Sequence, residues 1–180
     1  DIREFDVADY RRRFGLVLQD LFLFPAPIEE NLRAFRSEVT RQDLEAAANL
    51  TDIHASILTR SEGYKTVLKE SGEGFSYGQR QLIAFARALA VKPQVLVLDE
   101  ATSSVDPGTE LRIQATMKKL TEGRTSFIVA HRLSTIRRAT SIIFVRDGAI
   151  IESGNHDELI RQRGAYFDLL SHVDPEKEML

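Results

Sequence analysis

Three short runs of bulky, largely β-branched residues stand out in the second half of the chain. They are VLVL, SFIV and IIFV, at 95–98, 126–129 and 142–145. Because these runs show little alternation, they are typical of strands buried on both faces. Between the first two, Asp106-Pro107 indicates a helix start, and the helical pattern runs through Leu120 and stops near Gly123. The pattern predicts a β-α-β crossover.

The third run is followed by a short turn signal. An Asp-Gly pair at 147–148 precedes the apolar residues 149–151, which predicts a β-hairpin added to the sheet. A last helix is expected after it. Asn155 is its cap, Glu158 follows three positions later, and Gly164 is its stop.

The first half of the chain has a different pattern. Residues 14–18 indicate a strand that ends at Gln19, whereas residues 28 to about 61 have a helical pattern, with Thr40 opening one helix. A helical insert between strands is therefore predicted.

Composition narrows the function classes. With 180 residues, 43% hydrophobic and 28% charged, the chain suits one compact globular domain. The absence of cysteine excludes disulfides, thiolate zinc sites and cysteine nucleophiles, and the four histidines lack metal-ligand spacing. A net charge of −3 gives no electrostatic argument for a nucleic-acid partner. The sequence also contains no run of about 18 apolar residues, which is the length needed to span a bilayer.

Two polar positions carry candidate chemistry. Asp99 and Glu100 close an apolar strand, and ligands of open α/β sheets bind at the carboxyl ends of strands. One carboxylate there can hold Mg²⁺ while the next polarises a water for phosphoryl transfer. The alternative is a solvated acidic turn.

Ser76 and Gln79 have the spacing of a capping box at the start of a long helix. Ordinary capping explains this pattern. A phosphate site is the functional alternative, because a helix start presents N–H groups and a positive dipole end. Gly78 would also allow a phosphate to approach the main chain closely.

In combination, these features resemble the nucleotide-binding domain of ATP-binding cassette (ABC) transporters over nearly the whole chain. In that resemblance Gln19 is the Q-loop glutamine and His131 the switch histidine. The signature, the Walker B strand and the D-loop correspond to residues 75–79, 95–100 and 103–106. Further segments are similar to exporters, among them Glu70 before Ser71-Gly72, and residues 23–32, 131–136 and 154–159.

The sequence departs from the family pattern in two places. No G-x-x-x-x-G-K-[ST] phosphate loop (Walker A) is present, since none of the six lysines follows a glycine. Only 18 residues precede Gln19, so we expect a partial domain whose N-terminal part is missing. Phe75 and Tyr77 also stand where the usual signature has leucine and glycine.

The resemblance implies an α/β fold with a P-loop NTPase-like core of parallel strands plus a helical subdomain. The expected division is a core strand and Q-loop at 1–27, a helical subdomain with the signature at 28–91, and the remaining core at 92–180. It implies an exporter ATPase that uses ATP and Mg²⁺ at the cytoplasmic face of the cell membrane.

The resemblance also implies roles for single residues. Glu100 would be the general base, and His131 would contact the γ-phosphate. Asp99 and Gln19 would help to hold Mg²⁺ and the attacking water. The remaining nucleotide-contacting residues are Ser76, Gly78, Gln79 and Asp106.

The expected partners are a second ABC ATPase domain and transmembrane domains. The second domain would lie head to tail, with a heterodimer favoured because the signature is altered. The transmembrane domains would contact residues 19–28 and the surroundings of Glu70. Two alternatives stay open: a noncatalytic half that supplies only its signature surface, and a nontransport ABC ATPase.

Overall fold

The computed structural model describes residues 1–69, 72, 74–99, 106–130 and 132–173. Its strands are β1 (Phe14–Val17), β2 (Val95–Asp99), β3 (Thr125–Val129), β4 (Ile142–Arg146) and β5 (Ala149–Gly154). Its helices are α1 (Val7–Arg12), α2 (Ile28–Arg33), α3 (Arg41–Leu50), α4 (His54–Leu58), α5 (Tyr77–Ala90), α6 (Pro107–Thr121), α7 (Leu133–Ile136), α8 (His156–Gln162) and α9 (Ala165–Val173), with 3-10 turns at Ile2–Glu4 and Gly63–Lys65. The chain divides into two compact units, residues 1–129 and 130–180.

The first unit is built on a parallel sheet in the order β1-β2-β3. Val17 pairs with Leu98, and Asp99 pairs with Val129. Helices α2 to α5 lie between β1 and β2 in the sequence, and α6 forms the crossover from β2 to β3. The predicted α/β fold with a parallel core and a β-α-β crossover is confirmed.

One face of this sheet is buried. Leu96 and Leu98 share a core with side chains of α5 and α6. A Cβ added to Gly15 would lie 2.6 Å from the main-chain oxygen of Ala88, so β1 and α5 can approach this closely only because residue 15 is glycine.

The other face of the sheet is largely exposed in the described structure. Leu16, Phe127 and Val129 are between 54% and 58% exposed. The prediction of a strand buried on both faces is wrong for β3. Successive side chains of a strand point to opposite faces, and helices cover only the alternate set here.

The helices between β1 and β2 form a continuous apolar interior. Ile28, Leu32, Leu44, Ile53 and Ile57 are all fully buried. The predicted start of α3 is confirmed, because Thr40 and Asp43 form a capping box. These contacts hold α2 and α3 against α5 and complete the predicted helical insert.

The second unit contains the predicted hairpin. Strands β4 and β5 pair with one another in an antiparallel sheet and, among the described strands, with no other. The expectation that the hairpin extends the first sheet is therefore wrong. Ile143 and Val145 are more than half exposed, so this apolar run does not form a strand buried on both faces.

The helical end of this unit also differs from the prediction. The capping box of Asn155 and Glu158 is confirmed, and α8 ends at Gln162. However, α8 is not the last helix, because Gly164 separates it from α9. The Glu152 carboxylate accepts hydrogen bonds from the N–H groups of Ala165 and Tyr166, and so caps the start of α9.

Candidate functional site

The candidate site lies at the carboxyl-end edge of the parallel sheet. Asp99 is the last residue of β2, the central strand, and Gln19 follows two residues after the end of β1. Because Val17 and Leu98 are register partners, both side chains belong to the same edge. Asp99 is half-buried and Gln19 is exposed. Among the described residues, neither side chain has a hydrogen-bond or ion-pair partner.

This edge fits a magnesium ion held together with phosphate. Carboxylate and amide oxygens are ligands that Mg²⁺ prefers, and Mg²⁺ commonly takes only one or two protein ligands beside water and phosphate oxygens. Asp99 and Gln19 supply this kind of donor set. Within the described ranges, no group of three or more acidic, histidine or cysteine side chains could hold a metal on its own. A magnesium site at Asp99 and Gln19 stays a prediction.

The start of α5 is stabilised by its own side chains. The Ser76 hydroxyl accepts a hydrogen bond of 3.2 Å from the Gln79 N–H, and the Gln79 side-chain oxygen accepts one of 3.1 Å from the Ser76 N–H. The capping box predicted from the sequence is confirmed. Gly78 is buried while Ser76 is exposed. A phosphate role for Ser76, Gly78 and Gln79 stays a prediction.

An arginine holds the segment just before this helix. The guanidinium carbon of Arg60 lies 4.2 Å from the centroid of the buried Phe75 ring, and Arg60 Nη2 donates to the main-chain oxygen of Gly74. Phe75, which departs from the usual signature, thereby gains a cation–π partner. No local pattern indicates a role for Arg60, because the contact joins residues 15 positions apart.

Asp106 occupies the start of α6. Its carboxylate accepts a hydrogen bond of 3.0 Å from the Thr109 N–H. Hydrogen bonds from Thr109 lower the pKa of Asp106, so the group stays ionised at neutral pH. The helix cap predicted here is confirmed. A nucleotide role for Asp106 stays a prediction.

The segment that follows Gln19 combines core and surface residues. Leu23 is fully buried, whereas Phe22 is 59% exposed. The Phe24 ring lies edge-on to the rings of Phe22 and Phe35, with centroids 4.8 and 5.0 Å apart, and Phe35 is also exposed. We call the rings of Phe22, Phe24 and Phe35 the aromatic cluster. The segment therefore contributes both to the apolar core and to the exposed surface.

Several predicted site residues lie outside the described residues. They are Glu70, Glu100, His131 and the D-loop residues 103–105. Their roles stay predictions from the sequence.

A parallel sheet with helices in the crossover and a carboxylate closing its central strand defines an α/β domain of the P-loop NTPase-like class. The family described as ABC transporter matches residues 1–103. The chain belongs to the ABC transporter family and corresponds to part of an ABC ATPase domain.

Three relatives illustrate the similarity. An uncharacterized ABC transporter ATP-binding protein of Bacillus subtilis, YfiC, is 50% identical over 169 residues, covering 94% of this chain and 28% of the relative. The fatty acid ABC transporter ATP-binding/permease protein of Mycobacterium tuberculosis is 46% identical, covering 94% and 27%. Human ATP-binding cassette sub-family B member 5 is 41% identical over 177 residues, covering 98% and 14%.

The chain thus spans about a quarter or less of the length of these relatives. Exporter-type proteins are among them. Within the part of the chain that the structure describes, no helix has both the length and the hydrophobicity to cross a membrane.

Proposed function

We propose that this chain is part of the ATPase motor of an ABC exporter. The observation that carries the proposal is the edge formed by Gln19 and Asp99, where two oxygen-bearing side chains have no partner among the described residues. Buried or half-buried polar groups usually find partners within the fold, so an unpartnered carboxylate at a strand end favours a ligand as its missing partner.

Each site residue has a role in this proposal. Glu100 accepts a proton from the attacking water, which makes the water a better nucleophile toward the γ-phosphate of ATP. Asp99 and Gln19 hold Mg²⁺ and orient the water. Bound Mg²⁺ supplies positive charge that neutralises the phosphate oxygens. His131 donates a hydrogen bond to the γ-phosphate.

The other residues act at the dimer interface. Ser76, Gly78 and Gln79 present the start of α5 to the ATP held by a second ABC domain, placed head to tail. The dipole and N–H groups of a helix start favour a phosphate there. Asp106 lies beside this interface, where its helix cap fixes the residues that follow it.

The membrane partner is proposed at two places. Residues 19–28, with the exposed ring of Phe22, and the surroundings of Glu70 contact the transmembrane domains. An exposed apolar patch of this kind is typical of a protein contact. The motor then lies at the cytoplasmic face of the cell membrane.

Glu100→Gln in the full-length parent protein tests the ATPase proposal. We expect steady-state phosphate release to fall about 10²-fold or more, because the general base is lost, while ATP binding persists. Glu122→Gln, an exposed residue after α6, is the matched control and should leave the rate unchanged. Unchanged turnover in Glu100→Gln would contradict the proposed mechanism.

A noncatalytic role is the second candidate for the 180 residues taken alone. The sequence contains no G-x-x-x-x-G-K-[ST] loop, which supplies backbone N–H groups and a lysine to phosphates. We therefore expect the isolated 180-residue chain to release no phosphate above background from Mg-ATP. Robust turnover that Glu100→Gln abolishes would show that this chain forms a complete site.

The altered signature favours a heterodimer. Tyr77 places a bulky ring where a glycine would leave space beside the partner's ATP. Since Asp99, Glu100 and His131 are all present in the sequence, we propose a partner with a weakened Walker B carboxylate and a standard signature. Single-turnover measurements on each site test this: Tyr77→Gly should change only the slower site, and a homodimer with two equal sites would contradict it.

A further inference from the structure

A buried asparagine fixes the backbone of the segment that follows the Q-loop glutamine. Asn31 lies on α2 and is fully buried. Its Oδ1 accepts a hydrogen bond of 2.8 Å from the Phe24 N–H, and its Nδ2 donates to the main-chain oxygens of Phe24 and Ala26 at 2.9 and 3.2 Å. One carboxamide thus satisfies three main-chain groups of an irregular segment, which sets its conformation.

Arg87 joins this segment to α5. Its Nη1 donates to the Phe22 main-chain oxygen at 2.8 Å, its Nε to the Asn31 main-chain oxygen at 2.9 Å, and its Nη2 to Asn31 Oδ1 at 3.0 Å. The guanidinium carbon also lies 5.5 Å from the centroid of the Phe24 ring. Burial lowers the pKa of Arg87, although an arginine stays protonated.

The half-buried Arg87 cation has no carboxylate among these three acceptors. All three acceptors are neutral oxygens, and two of them belong to the main chain. A planar guanidinium presents several donors in a fixed fork, so it can hold three acceptors in one arrangement, which a lysine ammonium cannot reproduce. The cation is therefore placed to fix the positions of α5, α2 and the segment relative to one another.

The start of α5 and the segment bound by Arg87 have different proposed partners. Ser76 is the cap of α5, and Arg87 lies about 16 Å further along the helix axis, since each helical residue rises about 1.5 Å. Phe22, held by Arg87, is exposed in the aromatic cluster. A 14-residue helix links a proposed nucleotide contact to a proposed membrane-domain contact.

We infer that Arg87 and Asn31 are positioning residues that make α5 and residues 22–27 move as one body. Engagement of ATP at the Ser76 end of α5 then displaces the aromatic cluster at the other end. This inference rests on the proposed function, because it requires the start of α5 to contact ATP. It identifies hydrogen bonds between distant parts of the sequence as the route from the nucleotide to the membrane contact.

Hydrogen exchange in the full-length parent protein tests the inference. The protein carries Glu100→Gln to retain ATP, and exchange is followed in residues 22–27 and 76–82 with and without Mg-ATP. We expect Mg-ATP to slow exchange in both segments. In Arg87→Lys the response of 76–82 should persist, whereas the response of 22–27 should fall by at least about half, because two of the three donated bonds are lost.

A second variant and a control separate positioning from a general loss of structure. Asn31→Asp keeps the oxygen that accepts from Phe24 and Arg87 but removes the Nδ2 donor to the Phe24 and Ala26 oxygens, so the response of residues 22–27 to Mg-ATP should fall while that of 76–82 persists. Arg112→Lys, in which an exposed arginine with a single 3.4 Å contact to the Asp52 main-chain oxygen is changed, should behave as the parent. Without nucleotide, the Phe24 amide should exchange about tenfold faster in Arg87→Lys.

Two outcomes would overturn the inference, and they are distinguishable. If residues 22–27 respond to Mg-ATP equally in the parent and in Arg87→Lys, then Arg87 does not connect the segment to α5. If residues 76–82 do not respond in the parent, the proposed nucleotide contact fails, and the transmission fails with it. In the second case the nucleotide-free exchange rate of Phe24 still reports whether Arg87 fixes the segment.

Discussion

Two buried polar side chains of the helical insert differ in their bonding from the two polar side chains at the carboxyl-end edge of the sheet. In the insert, buried Asn31 is bonded to the main chain around it, and the buried Thr51 hydroxyl donates to the Ala47 oxygen at 3.0 Å. At the edge, the side chains of Gln19 and Asp99 have no partner within the described residues. Asn31 and Thr51 therefore stabilise the fold, whereas Gln19 and Asp99 are available to a ligand.

The largest expected effect concerns the edge. Asp99→Asn keeps the shape of the side chain but removes its charge, so ATP turnover of the full-length protein should fall about 10²-fold. Thermal unfolding without nucleotide should stay close to that of the parent, because no bond within the described structure is lost. Asp157→Asn, an exposed aspartate on α8, serves as the control. A severe loss of stability in Asp99→Asn would show that Asp99 stabilises the fold. It would then not differ from Asn31 and Thr51 in this respect.

A second substitution tests the contact between the sheet and the insert. Gly15→Ala would bring Cβ within 2.6 Å of the Ala88 oxygen and 2.9 Å of side-chain atoms of Leu96 and Pro93. We expect the free energy of unfolding, measured with urea, to decrease by about 1–3 kcal/mol, as is usual for overpacking. Leu16→Ala, on the exposed face of the same strand, should change it by less than about 0.5 kcal/mol. Equal effects of the two changes would contradict the proposed tight contact.

The smallest effect concerns an ion pair in the insert. Lys92 Nζ lies 2.6 Å from Asp43 Oδ1, and this bond, with further hydrogen bonds from Thr40, lowers the pKa of Asp43 from 3.8 to about 2. A lowered carboxylate pKa gives stability that is present above the unfolded pKa and is lost as the pH falls from about 4 to about 2. Lys92→Met should therefore destabilise the protein at pH 6 and have little effect near pH 2.

Urea unfolding at several pH values checks this prediction. Lys118→Met, which changes an exposed lysine on α6, is the control and should show no such pH dependence. A Lys92→Met effect that is the same at pH 6 and pH 2 would mean that the ion pair is not its cause.

Local signals in the sequence were sufficient for most of the fold. The run 95–98 predicted β2, and Asp106-Pro107 predicted the start of α6, because strand burial and helix capping depend on neighbouring residues. The same holds for the capping box at Ser76. Placing Asp99 at a strand end needed no more than this local pattern.

The predictions from the sequence are wrong where one local pattern is compatible with two structures. Gly164 was interpreted as the end of the last helix, yet the Glu152 carboxylate starts another helix directly after it. Residues 142–145 are apolar enough for a buried strand, but they form a hairpin with two exposed side chains. In both cases residues more than four positions away decide the outcome.

The part of the site that the sequence could not reveal depends on long-range contacts. Arg87 and Asn31 are 56 positions apart, and each is unremarkable in its own helix. Arg60 lies 15 positions before Phe75 and has no motif of its own. Hydrogen bonds of this kind require the packing of α2, α4 and α5 to be known first.

The alternation along β2 has a consequence for how accurately the chain must fold. Leu96 and Leu98 point into the core, while Val95, Val97 and Asp99 are half-buried. If β2 were misaligned by one residue against β1, both leucines would become exposed and the Asp99 carboxylate would enter the apolar interior. Such an error costs about 1.5–3 kcal/mol for each leucine, and more for an uncompensated charge. Burial of the two leucines therefore favours the one register of β2 that keeps the Asp99 carboxylate at the edge of the sheet.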